Sequence, residues 1–379
     1  MYKPLTNARR LAALLAAVVC LEAASYSSPK PLISLEAATY RSPSLTAFVE
    51  AASYSSPTPA ASPDGNTLLQ RAVVADDATS YTGTLTSVVY TSDRAESTVV
   101  NIDHLAPSQW RIWYVAPADA YGRLIISNEA VTYQYEPAAN KVYANNWSTN
   151  ALALGDALDT ARVEKNYALQ VSAGTTVAGR AARILTMTSK HSGTLVERFW
   201  IDDQTYLILR REIYHADGTI ASKTSFDDVR AVKSLPKELF NLSIPAGMTL
   251  VPGAKFATSA SSDVAATSAL SFTVVRPKFL PDGFSLTSES VGMHDAVQTL
   301  QLVYADGLRD FSLFENATGR LPKFENGQPH AITVGDQDGY YAEVGGETIV
   351  SWNAGGLNLT LVGDLPAKEL GAIGASLKP

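Results

Sequence analysis

The sequence predicts an α+β protein built mainly from antiparallel sheet, and three observations carry that expectation. The first is Phe199 to Val232, which reads as three consecutive strands joined by polar turns at Asp202-Asp203-Gln204 and Ala216-Asp217-Gly218. Asp-Gly between two β-rich runs is a hairpin signal, because the turn needs positive φ and small or Asx residues adopt it at low cost. The second is a series of alternating segments upstream, at Tyr81–Thr91, Glu96–Leu105, Gln109–Val115, Gly122–Ser127 and Ala130–Tyr135. The third is apolar spacing of helical period on either side of that series. A meander this long belongs to a large curved sheet, which must cover its concave face, close up, or bind something there.

The elements follow in order. Asn66 is placed to cap a helix through Ala78, with Leu68, Leu69, Ala72 and Val73 on its apolar face. After the first strands, residues 148–170 read as helical around Ala151, Leu152, Leu154, Ala157 and Leu158, and strands resume at Thr175 and run to Val232. Leu235-Pro236 and Phe240 to Pro245 close a β-rich domain spanning 64–250, and the Ala/Ser/Thr-rich stretch 251–270 reads as a linker. A smaller domain, 271–379, follows. Its strands are expected near Phe272–Val275, Thr299–Tyr304, Phe311–Glu315, His330–Val334, Gly339–Val344, Thr348–Asn353 and Leu357–Val362. A closing helix from Pro366 to Leu377 takes Asp364 as its expected N-cap.

The 379 residues suffice for two domains and a tail. A net charge of −7 argues against a nucleic-acid binder, which would carry a basic stripe. At the N-terminus Lys3, Arg9 and Arg10 precede the apolar run Leu11 to Leu21. That is a charged region followed by a core of signal-peptide length, so residues 1–25 read as a secretory signal and the location as periplasmic or extracytoplasmic. The single cysteine, Cys20, allows lipid anchoring, although Val19 stands where a lipoprotein signal places a small residue.

Residues 26–63 form a low-complexity tether carrying an internal repeat. Glu22-Ala-Ala-Ser-Tyr-Ser-Ser-Pro29 recurs as Glu36-Ala-Ala-Thr-Tyr-Arg-Ser-Pro43 and as Glu50-Ala-Ala-Ser-Tyr-Ser-Ser-Pro57, each time at a spacing of 14 residues. Solenoid units run from about 20 residues upward, so the repeat reads as tether, or as a short binding motif centred on Tyr26, Tyr40 and Tyr54.

Catalytic and metal chemistry find little support. Glycine-rich phosphate loops and the Gly-x-Ser-x-Gly nucleophile motif are absent. The five histidines do not pair at metal-ligand spacing, and no cysteine supplements them. Asp76-Asp77, Asp202-Asp203 and Asp227-Asp228 fit turns and caps better than an acid/base pair, because adjacent carboxylates on a strand point to opposite faces. A secreted hydrolase on this sheet would need convergent acid/base residues, and none stand out; the reading is a non-enzyme without cofactor or metal.

The aromatic residues are more informative. Trp110, Ile112, Trp113, Tyr133, Tyr135 and Trp200 form the candidate lining of an apolar cavity, with packing of the core as the alternative use. Alternation places Trp110 and Ile112 on one face, Arg111 and Trp113 on the other.

Tyr81-Thr-Gly-Thr-Leu, Phe199-Trp-Ile-Asp and Arg210-Arg-Glu-Ile-Tyr-His-Ala-Asp-Gly resemble the lipoprotein-carrier-like domain of the RseB/MucB regulatory family and, more loosely, the carrier LolA. Leu280-Pro-Asp-Gly-Phe284, Tyr304-Ala-Asp-Gly-Leu-Arg-Asp-Phe-Ser-Leu-Phe-Glu315 and Leu359-Thr-Leu-Val-Gly-Asp-Leu-Pro366 resemble that family's second domain. The resemblance covers about residues 66–379. It implies a LolA-like half-open antiparallel β-barrel with covering helices, joined to a smaller α/β C-terminal domain. It further implies a negative regulator of sigma-E-type signalling that binds the outer segment of an anti-sigma factor and senses a lipidic ligand. A periplasmic lipid or lipoprotein carrier of LolA type, holding an acyl chain, is the alternative. Tyr304, Asp306, Gly307, Leu308 and Phe311 are the candidate residues for partner contact or for the seam between domains; an ordinary Asp-Gly turn feeding a core strand is the other reading of the same residues.

Overall fold

The computed structural model describes residues 64–378 except 91–93, 129–130, 146–157, 243, 245–246, 253–255, 258–269, 295–296, 320–328 and 345–346. The expected signal, the repeat tether, most of the linker and the stretch 148–157 lie outside the described residues. Among the described residues no helix is long and apolar enough to cross a membrane.

The first unit opens with helix α1 (Gly65–Ala72). Its N-cap is Asp64, whose carboxylate accepts the Thr67 N–H at 3.0 Å, not the expected Asn66. The helix stops at Val73 and a separate turn, α2 (Ala75–Ala78), follows, where one continuous helix to Ala78 was expected. Two consecutive β-branched residues, Val73 and Val74, stand at the break.

Eleven strands then follow: β1 (Tyr81–Tyr90), β2 (Ala95–Leu105), β3 (Gln109–Ala116), β4 (Leu124–Asn128), β5 (Thr132–Glu136), β6 (Lys141–Asn145), β7 (Tyr167–Val177), β8 (Arg180–Ser189), β9 (Leu195–Asp202), β10 (Ile208–Tyr214) and β11 (Ile220–Ala231). Helix α3 (Thr160–Asn166) precedes β7, and β12 (Thr249–Pro252) completes the sheet. The three-strand meander read from Phe199 to Val232 is β9 to β11, paired antiparallel in sequence. The helix expected through residue 170 ends instead at Asn166. Tyr167 already pairs with Ser189, and exposure alternates from there, so β7 begins eight residues before the expected Thr175.

The strand order is β12-β6-β5-β4-β3-β2-β1-β11-β10-β9-β8-β7, and among the described residues the two end strands do not pair with each other. The sheet nonetheless curls strongly. Trp110 and Ile112 of β3 share a packed cluster with Trp200 of β9, although β2, β1, β11 and β10 lie between those strands in the order. This is a half-open barrel with a filled interior. Alternation on β8 and β9 separates the two faces: Ala182 and Trp200 point into that interior, whereas Leu185, Met187, Phe199 and Ile201 point outward beneath α1 and α3.

The second unit is an eight-stranded sheet, in the order β13-β15-β16-β17-β21-β20-β19-β18. Its members are β13 (Phe256–Ala257), β15 (Ser285–His294), β16 (Val297–Ala305), β17 (Asp310–Asn316), β18 (His330–Val334), β19 (Gln337–Val344), β20 (Glu347–Ala354) and β21 (Leu357–Gly363). The strand expected at Phe272–Val275 is not formed; only β14 (Arg276–Pro277) pairs there, with β22 (Leu377–Lys378). Helix α4 (Ala367–Ala375) covers one face, packing Leu370 and Ile373 onto Leu300, Leu313, Val350, Trp352 and Leu361. It starts one residue later than expected, with Pro366 and not Asp364 at its cap, and the Asp364 N–H is directed to the Asp310 carbonyl oxygen at 3.4 Å.

Candidate functional site

The two units meet at the turn between β16 and β17, which carries Asp306, Gly307, Leu308 and Arg309. Asp306 organises that turn. Its Oδ1 accepts the backbone N–H groups of Leu308 at 3.0 Å and Arg309 at 2.8 Å. Its Oδ2 takes the Arg309 guanidinium at 3.2 Å and, from the first unit, the Tyr167 hydroxyl at 2.5 Å. A carboxylate with this set of donors is fully satisfied although it is buried.

The neighbouring residues interlock. Asn166, the last residue of α3, donates from Nδ2 to the Asp306 carbonyl at 2.8 Å and to the Gly283 carbonyl at 3.2 Å. Arg162, one turn earlier, reaches Ser285 Oγ and the Ala305 carbonyl. Gly307 holds φ +109 and lies so close to α3 that a Cβ there would sit 2.7 Å from the Val163 nitrogen. Glycine is therefore required twice over, by the backbone angle and by the approach. Leu308 leaves its own unit altogether. It is packed into the outer cluster of the first unit with Leu68 and Leu69 of α1 and Val163 of α3.

Burial raises the Tyr167 hydroxyl pKa, and the Asp306 charge raises it further, so the phenol stays a donor. Burial works against the charge on Arg309, but Asp306, Tyr167, Asp364 and Glu369 together outweigh it, and the guanidinium is held more firmly protonated than usual. Arg309 also lies over the Phe284 ring at 5.5 Å.

All five candidate partner residues thus lie at or just behind this seam, and all five are buried against the chain itself. Tyr304 and Phe311 stack at 5.0 Å inside the second unit, Asp306 and Leu308 face the first unit, and Gly307 touches α3. Arg162, Asn166, Tyr167, Gly283 and Ser285 were not singled out from sequence. No local signal joins Asn166 to a turn 140 positions away.

The six candidate cavity residues divide between two faces. Trp110, Ile112 and Trp200 belong to the filled barrel interior, where Trp110 lies over the ring of buried His104 at a centroid distance of 3.9 Å. Trp113 is on the opposite face with Arg111, whose guanidinium lies 5.9 Å from its ring. Tyr133 pairs with Ile126 and Tyr135 with Leu124, which the register places on Trp113's side. As a single lining the set does not converge, because the pleat sends alternate residues to opposite sides.

Residues 64–244 match the model of the MucB/RseB N-terminal domain, and residues 274–377 match a domain of unknown function. The first unit is therefore a MucB/RseB-type N-terminal domain. The MucB/RseB-type unit and the second unit together align with solved structures of MucB. A crystal structure of MucB in complex with MucA(peri) is 19% identical, with a TM-score of 0.57, over 83% of this chain and 99% of that one. The Pseudomonas aeruginosa MucA/MucB complex gives the same identity and TM-score over 83% of this chain and 98% of that one. MucB solved by itself is 18% identical with a TM-score of 0.51, again over 83% of this chain and 98% of that one. At this identity the likeness establishes the fold of both units and their order. No curated protein sequence matches the chain.

Proposed function

We propose that this protein is an extracytoplasmic regulatory binding protein that holds the outer segment of a membrane-spanning anti-sigma factor and releases it on sensing a lipidic ligand. One observation carries the reading: both units, in order, share the fold of MucB as solved with MucA(peri), and the first matches the model of the MucB/RseB N-terminal domain. The seam supplies a physical route for regulation. Two sheets are joined through one buried carboxylate, one leucine and a few bonds from α3, so a ligand that favours one arrangement of the units shifts the affinity of a partner that favours another. The aromatic faces at Trp113, Tyr133 and Tyr135 are half-buried on the outside of the barrel and offer apolar surface for an acyl chain. The charged N-terminus followed by an apolar run supports export.

The test is capture of membrane proteins from the host envelope by the immobilised mature chain, followed by titration with extracted envelope lipid. Recovery of an anti-sigma-type membrane protein whose retention falls as lipid is added supports the reading. Recovery of no such protein overturns it, and retention indifferent to lipid removes the sensing half.

A further inference from the structure

Glu315 of β17 is a carboxylate buried on the apolar face of the second sheet. Its neighbours across the ladder are Leu300 of β16 and Leu359 of β21. The chain that covers it is a strap, residues 270–278, which runs from the linker through β14. Leu270, Phe272, Val274 and Val275 of the strap pack on the cluster that holds Leu300, Leu313 and Leu359. The Val275 N–H donates to Glu315 Oε2 at 3.0 Å. Glu315 Oε1 is buried and has no hydrogen-bond partner among the described residues.

The charged and titratable groups that act on Glu315 come from three elements. Arg276, next to Val275 on the strap, pairs with Glu289 of β15 at 2.9 Å. Tyr304 of β16 lies beside Arg276. Burial is the largest influence on Glu315 and pushes its carboxyl up to about 7; Glu289 adds to the rise, and the Val275 N–H and Arg276 oppose it. An ionised Glu315 beneath the closed strap leaves a buried charge whose second oxygen has no donor, which is costly.

The strap is the cover that yields most easily. β16 and β21 are held to β17 by continuous ladders on both sides of Glu315. Residues 270–275 pair with no strand, and among the described residues the Val275 bond to Glu315 is what ties their backbone to the sheet. Firmer attachment begins beyond them. Arg276 and Pro277 pair with Lys378 and Leu377, and the Phe279 N–H donates to Ser376 Oγ at 3.0 Å. Lifting 270–275 therefore brings water to the carboxylate without breaking the sheet. The same stretch of chain continues to Gly283, whose carbonyl accepts Asn166 of the first unit, so the strap leads directly into the seam.

We propose that Glu315 and the strap form a pH-operated latch, in which the neutral carboxyl lies under the closed strap and its ionisation lifts residues 270–275 off the sheet. The proton leaves to solvent on opening and is taken up again on closing. Closing is therefore strongest below about pH 4.5, weakens as pH rises to about 7, and changes no further above that.

The experiment is amide hydrogen exchange on the full chain between about pH 5 and 8, with each rate divided by the intrinsic rate at that pH to give a protection factor. In the wild type, protection at Val275 is expected to fall by at least about tenfold across that range. The ceiling is about 300-fold, the ratio allowed by a carboxyl moved from 4.5 to about 7. Amides of β16 and β17 are expected to keep their protection. Glu315→Gln keeps an oxygen for the Val275 N–H but cannot ionise, and its protection there should not change with pH. Glu289→Gln removes the neighbouring negative charge, and the fall should be shallower. Wild-type protection at Val275 that is the same at both ends of the range overturns the proposal, as does an equal fall in Glu315→Gln. A fall shared equally by the β17 amides also overturns it, because the whole sheet would then be opening and not the strap.

Discussion

The Tyr167 hydroxyl donates to the Asp306 carboxylate at 2.5 Å, and this bond joins the first residue of β7 in one sheet to the turn after β16 in the other. Both groups are buried, so each depends on the other to avoid an unsatisfied polar atom. The same carboxylate also orders its own turn and pairs with Arg309, which makes it the common element of the seam.

Removing it is predicted to be far more damaging than removing its partner. Tyr167→Phe deletes one hydrogen bond and should cost about 1 kcal/mol in chemical denaturation. Asp306→Ala leaves the buried phenol and the partly buried Arg309 guanidinium without this acceptor and should cost about 3–5 kcal/mol. The double variant should cost less than the sum, because the two changes act on one network.

Leu308 is predicted to hold the units together by packing. Leu308→Ala should destabilise the chain by about 2–5 kcal/mol, as expected for a buried leucine. Gly307→Ala should also loosen the seam, since a Cβ at φ +109 meets the Val163 nitrogen. Limited proteolysis checks both variants; faster cleavage within 305–310 is the expected result, and unchanged cleavage would show that the contact contributes little.

Much of this architecture was legible from the residues, and the failures have physical reasons. The meander from Phe199 to Val232 was readable because polar turns separate its strands, and β9 to β11 follow it closely. The seam was half legible: Asp306-Gly307 marks a turn, but the meaning of Leu308 depends on α3, whose end at Asn166 is set by β7 pairing with β8. β7 itself was hidden because its pattern of exposed small residues looks like neither a core strand nor a helix face. The aromatic set was misleading as a group, because composition does not record the curl that brings Trp110 near Trp200 while leaving Trp113 outside.

That division gives a third prediction. Trp110→Ala should cost about 3–5 kcal/mol, as removal of an interior aromatic, and its effect on any lipid binding should follow from lost folding. Trp113→Ala, on the half-buried outer face, should leave stability within about 1 kcal/mol. If acyl chains bind the outer face, lipid retention by native mass spectrometry should fall in Trp113→Ala and persist in Trp110→Phe.

Glu315 predicts a pH dependence. It is buried in β17, and burial pushes its carboxyl up to about 7 from 4.5, against the opposing effect of the Val275 N–H, which it accepts at 3.0 Å. Between those two values the folded chain holds more protons than the unfolded chain. Stability should therefore fall as pH rises from about 4.5 to 7 and level off above that, by an amount on the order of 3 kcal/mol. Glu315→Gln should flatten the slope in denaturation midpoints measured across that range. A slope unchanged in the variant would assign the effect to another group.

Under the proposed function, the seam couples the two units in the binding of an anti-sigma partner. Its most direct test is calorimetric titration of the captured partner's outer segment into the wild-type chain and into Tyr167→Phe, the mildest seam variant. Both should bind, with affinities differing by at least about fivefold, the low end of typical coupling energies. Equal affinities, with both proteins folded, would contradict it.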